Sequence, residues 1–222
     1  MEHLTLIIPA KNEKESLPNV LNELKKYNLK IIVVLEKEDL ETINSIKEHD
    51  CKILHQINKG YGDALTQGLR NVKTNFFCFF NADGSFNPNE LKNMYDLAVK
   101  RNADFIFGSR YMSGALSQDD TIITLIGNKI FTFMGQFFFS LPISDILYTF
   151  VLGDTQKANN LQLKEKSFSF CVELPILAKK SKHKLISVPS HERARIAGKK
   201  KVNEFKDGFL ILINMIKIYF KY

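Results

Sequence analysis

In the first 110 residues, short unbroken apolar runs alternate with amphipathic stretches. This alternation limits the possible folds more than any other feature of the chain. A strand buried on both faces reads as a continuous run of Val, Ile, Leu and Phe, whereas a strand with one wet face alternates. The runs Leu4–Pro9, Lys30–Leu35, Lys52–His55, Asn75–Phe80 and Asp104–Phe107 are of the continuous kind. Between them, Glu13–Lys26, a stretch near Leu40–Glu48, Asp63–Asn71 and Asn89–Lys100 are predicted helices. Leu17, Val20, Leu21 and Leu24 share one face of the first. Strands that alternate with helices in this way make parallel βαβ units. The sequence therefore predicts an α/β fold with a mostly parallel sheet flanked by helices. Ligands in such sheets bind outside the carboxyl ends of the strands. That points to three polar clusters: Lys11-Asn12-Glu13, Glu36 and Asn81-Ala82-Asp83.

The second half differs. Thr121–Leu141 is long, apolar and Phe-rich. It approaches the roughly 20 residues of a spanning helix, but Asn128, Lys129 and Gln136 lie inside it. Charge at a bilayer centre is costly, so the segment reads as a core or membrane-surface helix. Ile146–Leu152 is a predicted strand, Phe170–Lys180 a helix carrying Glu173, and Lys184–Val188 a last strand. In Gly208–Tyr222, Asn214, Lys217 and Lys221 fall on one stripe of an apolar helix. That helix is too short to span and is expected either to dock on the protein or to lie in a bilayer interface. Residues 1–207 read as one domain and 208–222 as an amphipathic appendage. A chain of 222 residues with 45% apolar side chains can bury a core without staples. Cys51, Cys78 and Cys171 are odd in number and lack ligand spacing. They read as core thiols of a reducing, cytoplasmic compartment. The opening MEHLTLIIPA has no signal-peptide pattern.

Charge is unevenly spread. The net charge is +7, yet residues 179–206 alone carry +8. A locally basic quarter calls for an anionic partner such as nucleotide phosphate, lipid phosphate or nucleic acid; a solvated basic face is the plain alternative. Nucleic acid is set aside, because no aromatics are interleaved with the charges and the apolar run Leu185–Val188 lies among them. At Asn81-Ala82-Asp83, alternate residues of an extended chain point the same way. Their oxygens suit Mg²⁺ or Mn²⁺ bridging a diphosphate. The same residues with Gly84 also make a good turn, and on the residues alone both readings stand.

The ordered set IIPAKNEKESL, NKGYGDAL, NADGSF, FIFGSRY and VELPILAKKSKHKLISVPSHERARIAGKKK resembles glycosyltransferase family 2, with the GT-A fold. Within that family it looks most like the dolichol- and polyprenyl-phosphate sugar transferases, over nearly the whole chain. The resemblance implies a nucleotide-sugar site built from Pro9, Ala10, Asn12 and Glu13, from Glu36 beside the nucleoside, and from Lys59 and Gly60 near the base. It also implies a metal motif at Asn81, Ala82 and Asp83. Arg110, in Gly108-Ser109-Arg110-Tyr111, is expected to face an acceptor phosphate, and Asp145 matches a family Asp. Arg195, Gly198 and Lys201 match a loop that closes over the diphosphate.

Several positions depart from the family pattern. Leu35 replaces one of a paired Asp, Asn81 replaces the first Asp of the metal motif, and Lys200 replaces a Ser. Thr149-Phe150-Val151 stands where Gly-Phe-Arg is usual, and a second acceptor Arg before Asn128 is absent.

The implied reaction is metal-dependent inverting transfer of a sugar from a nucleotide-diphosphate sugar. The acceptor is a polyprenyl phosphate, or otherwise a glycan or lipid hydroxyl. Asp83 with Mg²⁺ or Mn²⁺, aided by Arg195 and Lys199–Lys201, would stabilise the leaving diphosphate. Asp145 is the candidate base for a hydroxyl acceptor, and Glu173 could organise the acceptor side or simply pair with a lysine. The basic loop is expected to be mobile until phosphate relieves its like-charge repulsion. A peripheral location on an anionic membrane surface follows for a lipid acceptor. A nucleotide-binding pseudoenzyme on the same fold is the alternative that Leu35 and Asn81 raise.

Overall fold

The predicted apolar runs supply the strands of one large sheet. The computed structural model describes residues 1–100, 103–198 and 200–221. In chain order the strands are β1 (Leu4–Pro9), β2 (Lys30–Leu35), β3 (Lys52–His55), β4 (Phe76–Phe79), β5 (Phe105–Ser109), β6 (Leu116–Ser117), β7 (Val151–Asp154), β8 (Leu185–Pro189) and β9 (His191–Glu192). The α-helices are α1 (Leu17–Leu24), α2 (Leu40–Ile46), α3 (Tyr61–Arg70), α4 (Leu91–Lys100), α5 (Ile122–Phe139), α6 (Thr155–Asn160), α7 (Phe170–Lys180) and α8 (Glu204–Lys221). The large sheet has the order β3-β2-β1-β4-β7-β5-β8, and β6 pairs with β9 in a second, two-stranded sheet.

β1 pairs in parallel with β2 on one side and β4 on the other. The strand order therefore reverses between β1 and β4, which opens a crevice at their carboxyl ends. Pro9–Glu13 and Asn81–Asp83 leave the sheet there. One core layer contains Ile7, Val34, Phe77, Phe79 and Phe170. The other contains Leu6, Val33, Phe80, Phe86 and Phe150. Phe80, Phe86, Tyr148 and Phe150 form a ring cluster with centroids 4.7–6.3 Å apart. Cys78 and Cys171 are buried core thiols, as expected, and Cys51 is half-buried.

The sheet is mostly parallel, as expected, with β7 alone running antiparallel, to both β4 and β5. Some expected element bounds are corrected. The predicted strand Ile146–Leu152 begins only at Val151. Upstream of it, the Ile146 N–H donates to Thr132 Oγ1 at 3.1 Å, and Tyr148 and Phe150 turn into the ring cluster. α1 spans Leu17–Leu24 rather than starting at Glu13, with the Leu17 N–H donating to the Glu13 carbonyl at 2.9 Å and the Glu13 N–H to Thr42 Oγ1 at 2.9 Å. The C-terminal helix starts at Glu204 and packs against α5 and α7. Its predicted polar stripe is divided: Asn214 is buried, donating to the Ser169 carbonyl at 3.5 Å, while Lys217 and Lys221 face outward. Tyr222, the last residue of the predicted helix, lies outside the described residues.

The glycines at the start of α3 serve packing. A Cβ on Gly62 would meet the Glu165 carbonyl, Phe170 Cβ at 2.7 Å and the Ser167 carbonyl at 2.8 Å. In contrast, a Cβ on Gly127, inside α5, would meet nothing within 4 Å. Gly62→Ala should lower the unfolding free energy by about 3 kcal/mol through overpacking against backbone. Gly127→Ala should raise it by about 0.5–1 kcal/mol through helix propensity. Urea unfolding of the two variants checks the pair, and equal effects would remove the packing role of Gly62.

Candidate active site

The crevice between β1 and β4 is built first from backbone. As β1 ends, the Ala10 N–H donates to the Val34 carbonyl at 2.9 Å. Asn12 then takes a positive φ of 53° and donates its N–H to Asp39 Oδ2 at 2.7 Å. Asp39 also caps α2 by accepting from the Thr42 N–H. This turn swings Glu13 into the crevice, where it is buried and accepts from Ser16 Oγ at 2.6 Å. From β4, Asp83 closes a turn, its Oδ1 accepting the Ser85 N–H at 3.0 Å. The neighbouring Asn81 donates to Ser85 Oγ at 3.1 Å.

The basic loop after β9 lies over these two carboxylates. The Ile196 N–H donates to the Asp83 carbonyl at 2.8 Å. Arg195 holds Asp119 through Nη2–Oδ2 at 2.6 Å and stands 3.6 Å from Asp83 Oδ2. Lys201 pairs with Glu13, and Lys200 donates to the Asp119 carbonyl at 2.8 Å. Gly198, at φ 82°, turns the loop with its Cα facing Glu13. Arg193 fixes the loop from below. It donates to the carbonyls of Gly84 and Phe86 and pairs with Glu23 at 2.9 Å. The expectation of like-charge repulsion in this loop is thus corrected, because carboxylates answer its charges. Lys199 lies outside the described residues.

A second cluster forms at the end of β5. Arg110 Nε donates to Asp145 Oδ2 at 2.7 Å, and Nη2 donates to Oδ1 at 3.1 Å. Its Nη1 stands 3.3 Å from Glu192 Oε2 and 3.8 Å from Asp120 Oδ1. The guanidinium lies 4.6 Å from the centre of the Tyr148 ring. Burial opposes the Arg110 charge, but Asp145 and Glu192 outweigh it and hold its pKa above the ordinary arginine value. Burial pushes the Glu192 carboxyl up, against Arg110 and Ser117. Two expectations change here. Arg110 already has carboxylate partners and is not a bare cation awaiting phosphate. Asp145 is fully buried with both oxygens on Arg110, so it is a counter-ion rather than a base open to an acceptor.

Pro9, Ala10, Asn12, Glu13, Asn81, Ala82, Asp83, Arg195, Gly198 and Lys201 therefore share one end of the sheet, on the crevice and the loop that covers it. Glu36 sits at the end of β2 and pairs with Lys11 at 2.8 Å. Lys59 is exposed in the turn after β3, while a Cβ on Gly60 would strike the Lys166 carbonyl. Glu173 accepts the backbone N–H groups of Lys164 and Glu165 at 2.9–3.1 Å, so it shapes that loop. Sequence reasoning missed Asp39, Asp119, Asp120 and Glu192. Asp39 was legible as an N-cap. The other three gain their meaning only from partners far along the chain.

A divalent cation fits the oxygens present. Among the described residues, Asp83 Oδ2 accepts no hydrogen bond and has Arg195 at 3.6 Å, and Asn81 donates to the same Ser85 whose N–H Asp83 Oδ1 accepts. No cluster of three His, Cys, Asp or Glu able to hold a metal occurs among the described residues. One carboxylate with substrate phosphates and water is, however, a usual magnesium arrangement.

The sequence profile described as Glycosyl transferase family 2 matches residues 5–161. The chain is 25% identical over 217 residues to the UDP-N-acetylglucosamine–dolichyl-phosphate N-acetylglucosaminyltransferase of Methanococcus voltae, covering 83% of each. It is 26% identical over 196 residues to an uncharacterised protein of Methanocaldococcus jannaschii, covering 85% of this chain and 80% of that one. Among solved structures, glucosyl-3-phosphoglycerate synthase from Mycobacterium tuberculosis in complex with UDP superposes with a TM-score of 0.79 at 11% identity. That match covers 98% of this chain and 80% of that one. Mannosyl-3-phosphoglycerate synthase from Rubrobacter xylanophilus superposes with a TM-score of 0.77 at 13% identity, covering 99% and 74%. These matches establish the GT-A fold. With a profile that spans more than half of its length, the chain belongs to glycosyltransferase family 2 and is a glycosyltransferase.

Proposed function

We propose that this glycosyltransferase moves a sugar, with inversion, from a nucleotide-diphosphate sugar bound in the crevice between β1 and β4. The observation that carries the reading is the convergence there of Glu13 and Asp83 with Arg195 and Lys201. Glycosyl transfer builds negative charge on the leaving diphosphate, and fixed cations beside it lower the barrier. Arg195 and Lys201 are held in place by carboxylates and can turn to phosphate oxygens. Asp83, with the oxygen of Asn81, would hold Mg²⁺ or Mn²⁺, which supplies further charge to the diphosphate. The solved complex of the Mycobacterium tuberculosis synthase with Mn²⁺, UDP and glucosyl-3-phosphoglycerate supports a metal in a fold of this kind.

The proposed acceptor is a polyprenyl phosphate, presented at the cytoplasmic face of an anionic membrane. The name of the Methanococcus voltae relative supports this. A glycan or lipid hydroxyl is the second reading. It is favoured by the three carboxylates around Arg110, which would repel a phosphate and suit a neutral acceptor. In both cases Asp145 positions Arg110.

Titration calorimetry with nucleoside diphosphates and Mn²⁺ tests the donor site. Asp83→Ala should weaken metal-dependent nucleotide binding by at least about tenfold, or about 1.4 kcal/mol, and Asn81→Asp should tighten it. Unchanged affinity in Asp83→Ala would falsify the metal assignment. For the second cluster, Asp145→Asn should lower stability by about 3 kcal/mol, because it strips a buried guanidinium of its main partner. Nucleotide affinity should hold. A variant of wild-type stability that has lost turnover alone would instead make Asp145 a base.

A further inference from the structure

α5 is amphipathic the wrong way round for a helix in water. Asn128, Thr132 and Gln136 recur every four residues, so they form one stripe. All three are bonded to the domain. Asn128 Nδ2 donates to the Tyr111 hydroxyl at 3.3 Å, Thr132 Oγ1 accepts the Ile146 N–H at 3.1 Å, and Gln136 Nε2 donates to the Ile143 carbonyl at 2.8 Å. The apolar stripe faces out. Ile126 and Ile130 are each 53% exposed, Phe133 63% and Phe137 67%. A surface helix of a protein surrounded only by water shows the opposite pattern.

The exposed apolar surface is continuous across two helices. Phe133 stacks on Phe137 with ring centres 5.9 Å apart, and Phe137 meets Phe138 at 5.0 Å. Phe138 meets Tyr219 of α8 at 5.7 Å, and Tyr219 meets Phe220 at 5.5 Å. Phe220 is 82% exposed. Contiguous apolar patches of this extent mark interaction sites.

We propose that the α5–α8 face docks on an anionic lipid bilayer, lying along its surface with the Phe row among the acyl chains. This deepens the membrane reading above and rests on it only for the reason the site should work at a bilayer. Charge selects the occupant. Lys129 on α5 lies one helical turn from Phe133 and Lys217 on α8 one turn from Phe220, and both lysines are exposed. They match anionic headgroups, whereas two copies packed face to face would bring like charges together. A spanning orientation is disfavoured, because it would strip α5 of its three bonds to the domain and of its packing against α7 and α8.

The chain contains no tryptophan, so single replacements report without background. Phe133→Trp and Phe137→Trp should shift to the blue on adding vesicles of phosphatidylcholine and phosphatidylglycerol, and brominated lipid should quench both. Leu40→Trp, exposed on α2, should do neither. Phe133→Ser with Phe137→Ser should reduce vesicle binding roughly tenfold or more, while nucleotide binding without lipid stays unchanged. Two outcomes overturn the proposal. One is Trp emission indifferent to vesicles. The other is a blue shift that appears with protein concentration alone, together with a dimer in sedimentation. Nucleotide binding is read separately, so loss of docking and failure of the donor-site reading cannot be confused.

Discussion

The site depends on one buried cation. Arg110 meets carboxylates from three segments that are far apart in the chain: Asp120 before α5, Asp145 before β7, and Glu192 in β9. Two of these carboxylates are tied further, Asp120 to Tyr111 and Thr124 and Glu192 to Ser117. A buried charge stripped of a partner is strongly destabilising, so these segments are fixed relative to one another. The consequence reaches the donor side. Asp119 adjoins Asp120 and holds Arg195, which stands against Asp83. A single stretch of chain before α5 thus sets both the Arg110 cluster and the loop over the crevice.

That arrangement gives the family departures a physical sense. With Leu35 and Asn81 in place of acids, the crevice has fewer carboxylates to neutralise. Asp83 and Glu13 are answered by Arg195 and Lys201 of the chain itself. In the proposed reaction Arg195 and Lys201 would exchange carboxylates for phosphate oxygens, so the loop would have a partner both before and after the donor enters.

The first half of the fold was legible because strands covered on both faces leave long apolar runs. The ends of β1 and β4, with Glu13 and Asp83, could be placed on the same argument. The direction of β7 was not legible. An apolar run carries no sign of whether it will pair parallel or antiparallel, and Ile146–Phe150 is apolar for ring packing rather than for a strand. β6 and β9, at two residues each, are too short for any periodicity. The loop cations were legible as charges, but not their partners. Arg195 and Asp119 are 76 residues apart, and Lys201 and Glu13 are 188 apart. The enclosure of Asp145 was hidden for the same reason, because nothing local shows that Arg110 will take both its oxygens.

The orientation of α5 was open in the sequence, where Thr121–Leu141 reads equally as a core or a membrane-surface helix. A polar stripe on an apolar helix has two possible destinations, water or the polar groups of its own domain. Which one it takes depends on whether the domain offers free partners. Here Ile143 and Ile146 lie in a segment without strand pairing, so their backbone groups are available to Gln136 and Thr132. Once those bonds form, Ile126, Ile130, Phe133 and Phe137 are left on the outside. The loop that lacks a ladder therefore turns the helix over. The same bonds anchor α5 to Tyr111, beside Arg110, so a bilayer under the helix would lie within a few turns of the charge cluster that organises the site.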